Sequence, residues 1–175
     1  MKALSLIQPW ATLVLTGAKG FETRSWTTTY RGPLLIHAAK GFPVFARDFC
    51  ISVTDLTPTE LPFGAIIGRV VLKNIYRTED LAPTLTALEL LYGDYLTGRW
   101  AWELVEAEAF EHPIPYKGAL GLFEVILLAE LPGPHEPGCE CPRAKCTLAR
   151  LTPLIDDEIY EALKDVGLWF QQRRG

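Results

Sequence analysis

Apolar and polar positions change their spacing several times along the chain, and each change marks an element. Lys2 to Ile7 reads as a short strand. Pro9 suits the first turn of a helix, where its missing N–H has no partner to lose. Trp10, Leu13 and Val14 then fall at i, i+3 and i+4, the spacing of one buried face, in a helix that stops near Gly17. Gly17 and Gly20 bracket Lys19 and predict a sharp turn into an extended segment from Phe21 to Trp26. Alternation there puts Glu22, Arg24 and Trp26 on one side and Phe21, Thr23 and Ser25 on the other.

After a polar connection from Thr27 to Tyr30, Gly32 to Ala39 predicts a strand dense in core formers. Pro43 to Cys50 suggests a short helix, and Leu56 to Pro62 a loop broken by prolines. Phe63 to Ile75 carries the strongest strand pattern, Pro83 to Tyr92 looks helical, and Trp100 to Ala107 alternates as another strand. His112-Pro-Ile-Pro reads as a turn, Leu120 to Ala129 as a strand, and Pro153 to Leu163 as a terminal helix beyond a Pro/Gly/Cys-rich link. About five strands at non-crossover spacing with a few short helices predict an α+β fold: a small, mostly antiparallel β-barrel with peripheral helices. Residues 1–130 form the expected domain, with 131–175 a cysteine-containing loop and C-terminal helix packed on it.

Composition adds limits. An apolar fraction of 49% is ample for a core, and no apolar run is long enough to cross a bilayer. The N-terminus lacks a long apolar signal core, so a cytoplasmic protein with no membrane partner is expected. The net charge of −4 is unevenly spread. Residues 1–50 carry six Lys/Arg against Glu22 and Asp48, a balance of +4 that leaves −8 for the remainder. That distribution suits a local basic cleft for a small polar ligand or a short single strand better than a duplex held through many phosphates.

The chemistry concentrates near the N-terminus. Lys19 can neutralise an anion or, if desolvated, act as a base. Glu22 can orient Lys19, accept from a nucleobase amino group, or serve as a general base. Arg24 and Arg31 have planar forks for phosphates or base edges, and either can instead brace the fold through Glu22 or Glu103. Trp10 reads first as scaffold, whereas Trp26 divides evenly between base stacking and packing. Gln8 can read a base edge or tie down the strand–helix junction. His37 suits a hydrogen-bonded core or cleft wall, Glu103 either an outward face or an inward partner for a cation, and Lys117 a loop facing the cleft. Farther on, His135, Cys139, Cys141 and Cys146 place four soft ligands in one short segment, a set for a structural zinc or a loop of free thiols.

Three segments together resemble the ASCH family, a branch of the PUA-like superfamily: Leu4 to Ala11 with Gly17 to Trp26, then Arg31 to Ala38, then Trp100 to Leu104 with Pro113 to Gly118 and Gly121 to Val125. The resemblance implies a PUA-like barrel with a cleft beside the first helix and the G-x-K-x-x-E-x-R segment. It implies an RNA, nucleotide or nucleoside partner. Some small bacterial relatives are amidohydrolases on N4-acylated cytidine and others resemble ribonucleases. The amidohydrolases pair a lysine at the position of Lys19 with a threonine three residues on and a glutamate supplied from elsewhere. Here Glu22 stands at the threonine position, and a carboxylate cannot replace the hydroxyl without a change of mechanism. Three functions follow: binding of RNA, a nucleotide or a modified nucleobase; amide or RNA hydrolysis with Lys19 and Glu22 as catalytic groups; and a non-catalytic protein-interaction module.

Overall fold

The computed structural model describes residues 1–125. The expected C-terminal helix, the cysteine-rich segment and the proposed boundary after residue 130 lie outside these residues. Six strands make one sheet: β1 (Lys2–Leu6), β2 (Phe21–Arg24), β3 (Gly32–Ala38), β4 (Ala65–Arg77), β5 (Trp100–Pro115) and β6 (Leu122–Glu124). Four short α-helices flank it: α1 (Trp10–Leu15), α2 (Val44–Val53), α3 (Thr78–Leu81) and α4 (Ala87–Leu91).

The barrel expected from the sequence does not close, although four of the five ladders among the described residues are antiparallel as expected. The order is β2-β5-β4-β3-β1-β6, with β2 and β6 at the edges among the described residues, and the sheet is a curled half-barrel. It is also mixed. α1 and β2 lie between β1 and β3 in the chain, and that crossover sets β1 and β3 parallel, with Ser5 opposite His37. The other ladders are antiparallel. The long β4–β5 pair supplies curvature through three breaks of register, and Glu106 takes φ 53 on the bulged strand.

One core fills the concave side. Leu34, Ile36 and Ala38 of β3 meet Ala11, Val14 and Leu15 of α1, with Ile67, Val70 and Leu72 of β4 and Trp102 and Leu104 of β5. Leu35 and His37 alternate with them and are buried on the opposite side. α1 sits this close because Gly68 has no side chain. A Cβ there would stand 2.7 Å from the Leu15 methyls and collide with the Glu108 carbonyl.

The start of α1 has a proline, Pro9, at its cap position, which offers no side-chain acceptor. Gln8 compensates: its Oε1 accepts the Thr12 N–H at 3.2 Å while its Nε2 donates to the Pro62 carbonyl at 3.0 Å. The other end is turned by Gly17 at φ 75, a left-handed residue that ends the helix. The Lys19 N–H then donates back to the Leu13 carbonyl, so the turn tucks Lys19 beneath α1.

Candidate functional site

The elements at the C-terminal end of β1 enclose a cleft of about 550 Å³. Ser5, Leu6 and Ile7 form one side and Trp10 of α1 the next. Phe45 and Phe49 project from α2, Glu22, Thr23 and Arg24 come from β2, and Leu91 to Asp94 close it at the end of α4. The cleft has two characters. At one end the Trp10 and Phe49 rings stack 4.9 Å apart, with Phe45 at 6.3 Å from Trp10. The Trp10 indole N–H donates to the Tyr92 carbonyl at 2.8 Å, which fixes the ring.

The other end is ionic. Arg24 Nε lies 3.2 Å from Glu22 Oε1, and Arg24 Nη2 donates to the Ser5 carbonyl at 3.0 Å. Lys19 lies directly behind. Its side chain is 1% exposed, and Nζ stands 3.9 Å from both Glu22 and Glu89 without a hydrogen-bond partner. Desolvation by burial lowers the Lys19 pKa, against the opposing pull of Glu22 and Glu89 and with a smaller push from Arg24. Gly93 separates this amine from the cleft: a Cβ there would sit 3.3 Å from Nζ and 2.6 Å from the Tyr95 ring. The lysine therefore lies behind Gly93 and is not among the residues that line the cleft.

Glu89 is the group that sequence reasoning missed. From α4 it accepts the Gly20 N–H at 2.8 Å, the Phe21 N–H at 3.2 Å and the Tyr95 hydroxyl at 2.9 Å. It thus joins the turn that carries Lys19 to the loop that covers it. Burial, then the charge of Glu89, raises the Tyr95 phenol pKa and keeps it protonated as the donor.

Of the residues singled out in the sequence, Lys19, Glu22 and Arg24 come together. Gln8 is fully buried with both ends of its amide bonded within the protein. Trp26 packs edge-to-face on Trp102 at 4.7 Å and joins the core. Arg31 donates to the Thr28 and Tyr30 carbonyls at an exposed turn. Glu103 binds Lys73 at 2.8 Å and the Tyr76 hydroxyl at 2.9 Å, bonds that hold its pKa down. His37 lies between Ser5 Oγ at 3.0 Å and the Tyr116 carbonyl at 2.9 Å, under Gly118, and burial lowers its pKa. Lys117 is in the exposed loop beside that pair. His135, Cys139, Cys141 and Cys146 fall outside the described residues; among those described, no group of His, Cys, Asp and Glu is placed to hold a metal. Nor is any described helix long and apolar enough to cross a membrane.

The family model of the ASCH domain matches residues 4–114, a span that holds both the half-barrel and the cleft. The chain belongs to the ASCH domain family, within the PUA-like superfamily, a family generally implicated in RNA and nucleotide binding. Among solved structures it is similar to ASCH from Zymomonas mobilis, at 15% identity over 71% of this chain and 87% of that one, TM-score 0.48. Two point mutants of ZmASCH from the same organism match at 17% identity over 71% of this chain, covering 87% and 89% of theirs, with TM-scores of 0.47 and 0.46. No curated protein matches.

Proposed function

We propose that the cleft binds a nucleobase, carried by a nucleoside, a nucleotide or a short single strand of RNA. The observation that carries this reading is the meeting of two unlike walls across one cavity. Trp10, Phe49 and Phe45 supply aromatic surface, and Glu22 and Arg24 line the same cleft with an acceptor and a donor group. A base is flat, apolar on its faces and polar at its rim, and stacking on an aromatic side chain contributes about 1–3 kcal/mol per base. The volume lies within the range that holds a small ligand.

Phe45 provides the cleanest test, because its side chain is 63% exposed and carries little of the core. By calorimetric titration of nucleosides, nucleotides and short oligoribonucleotides, Phe45→Ala is expected to weaken binding about five- to a hundredfold while leaving the thermal melt unchanged. Equal affinity for wild type and variant would move the base elsewhere.

A second reading, amide hydrolysis on an acylated cytosine, is favoured by Lys19. A buried amine with a lowered pKa beside two carboxylates is an arrangement suited to proton transfer. Glu89 supplies a carboxylate from outside the local motif, as the resemblance to the amidohydrolases leads one to expect. Glu22 is drawn toward Arg24, and the mechanism for such a site would use it as an acceptor rather than a nucleophile. Incubation with N4-acetylcytidine, followed by the ultraviolet change on release of cytidine, tests it. Turnover by wild type that is lost in Lys19→Met supports the reading, and no cytidine from wild type removes it.

A further inference from the structure

We propose that the cleft selects an uncharged nucleoside or free base and discriminates against phosphate-bearing forms of the same base, an inference that rests on the base-binding reading above. The charges around the cavity carry it. Among the described lining residues Arg24 is the only cation, against the carboxylates of Glu22 and Asp94. Its charge is also paired: Glu22 Oε1 lies 3.2 Å from the Arg24 Nε, and Nη2 donates to the Ser5 carbonyl. A phosphate arriving there competes with a bound carboxylate for the same fork.

The nearby cations are no freer. Arg99 lies 3.3 Å from Asp94. Arg47 of α2 is not a lining residue, and its guanidinium lies over the Phe42 ring, 5.7 Å from its centre. Lys19 is buried, its Nζ 3.9 Å from both Glu22 and Glu89, and it does not line the cleft. The mouth is apolar instead. Phe45 and Leu91, the exposed apolar lining residues, are 63% and 55% exposed. A ligand leaving the polar floor toward solvent therefore passes ring and methyl groups where a phosphate needs donors.

Calorimetry on the full chain with the common ribonucleosides, their 5′-monophosphates and a short oligoribonucleotide, at low and high salt, tests this. For whichever base binds, the nucleoside is expected to bind about tenfold or more tightly than its monophosphate, with little dependence on salt. Asp94→Asn, which removes a like charge, and Phe45→Lys, which adds a cation at the mouth, are each expected to narrow that gap. Both sites are exposed, and a thermal melt checks the fold. A monophosphate or oligonucleotide that binds as tightly as the nucleoside, or an affinity that falls steeply with salt, overturns the inference and leaves base binding intact. Binding of none of the three classes removes both.

Discussion

Among the described residues, burial resists protonation of the Lys19 amine and the His37 imidazole, and each writes a pH dependence into stability. Burial lowers the His37 pKa from 6.5, with the Tyr116 carbonyl opposing. Below 6.5 the unfolded chain takes up a proton that the folded one refuses, so the contribution of His37 to stability falls as pH drops from 6.5 to the folded value and is flat beneath it. Urea unfolding at pH 7 and pH 5 is expected to show a loss in wild type that is smaller in His37→Gln. For Lys19 the same reasoning acts at the alkaline end. Its pKa is lowered from 10.5, so the unfolded chain binds the extra proton in the window below 10.5 and stability rises with pH there. Lys19→Met should flatten that rise, and identical slopes would mean the amine stays protonated in place. The local half of this site was legible in the sequence, because one turn and one short strand carry Lys19, Glu22 and Arg24. Glu89 was not. In the run Ala-Leu-Glu-Leu-Leu it looks like a solvated helix position, and only the fold brings it to the amides of Gly20 and Phe21.

At the level of elements, the spacing of apolar residues located β1, α1, β2 and β3 closely, because Gly or Pro lies near at least one end of each. β5 was read too short. Its strand pattern stops at Ala107, where Glu106 takes a positive φ, and Pro113 and Pro115 look like breakers. In the fold the strand runs on to Pro115, and Ile114 and Pro115 lie opposite Ile66 and Ala65. The single helix expected from Pro83 to Tyr92 is instead divided: α3 and a 3₁₀ turn, Ala82–Thr84, precede α4, whose start is capped by Thr86. Two substitutions test what holds these pieces. Gln8→Ala removes both the helix-start acceptor and the tie to Pro62, and about 1–2 kcal/mol of stability should go with it. Gly68→Ala pushes a methyl into Leu15 and the Glu108 carbonyl, and about 1–3 kcal/mol is expected from overpacking. Denaturant midpoints with an unchanged slope measure both, and a neutral Gly68→Ala would mean α1 lifts freely from β4.

For the whole molecule, the distinction between barrel and half-barrel comes down to two short edges. β2 has four residues and β6 three, and among the described strands each pairs with one neighbour. The gap between β2 and β1 is bridged by a side chain: Arg24 at the end of β2 reaches the Ser5 carbonyl, just past the last β6 pairing at Leu4. Closure by one guanidinium leaves a space beside it, and the cleft occupies that space. The sequence could show that Arg24 is polar and on the face shared with Glu22, but not that it substitutes for a ladder, since that depends on where the sheet ends. Arg24→Ala should therefore act on shape as well as charge. Loss of a charged hydrogen bond of this kind costs about 1.5–3 kcal/mol, and amide exchange should quicken along β2 while the β3–β4 ladder stays protected. Arg24→Lys keeps the charge but has one ammonium in place of a fork that contacts Glu22 and Ser5 together, so it should recover only part of the stability. Full recovery by lysine would assign the effect to charge alone, and uniform exchange across the sheet would show that the edge is not held by Arg24.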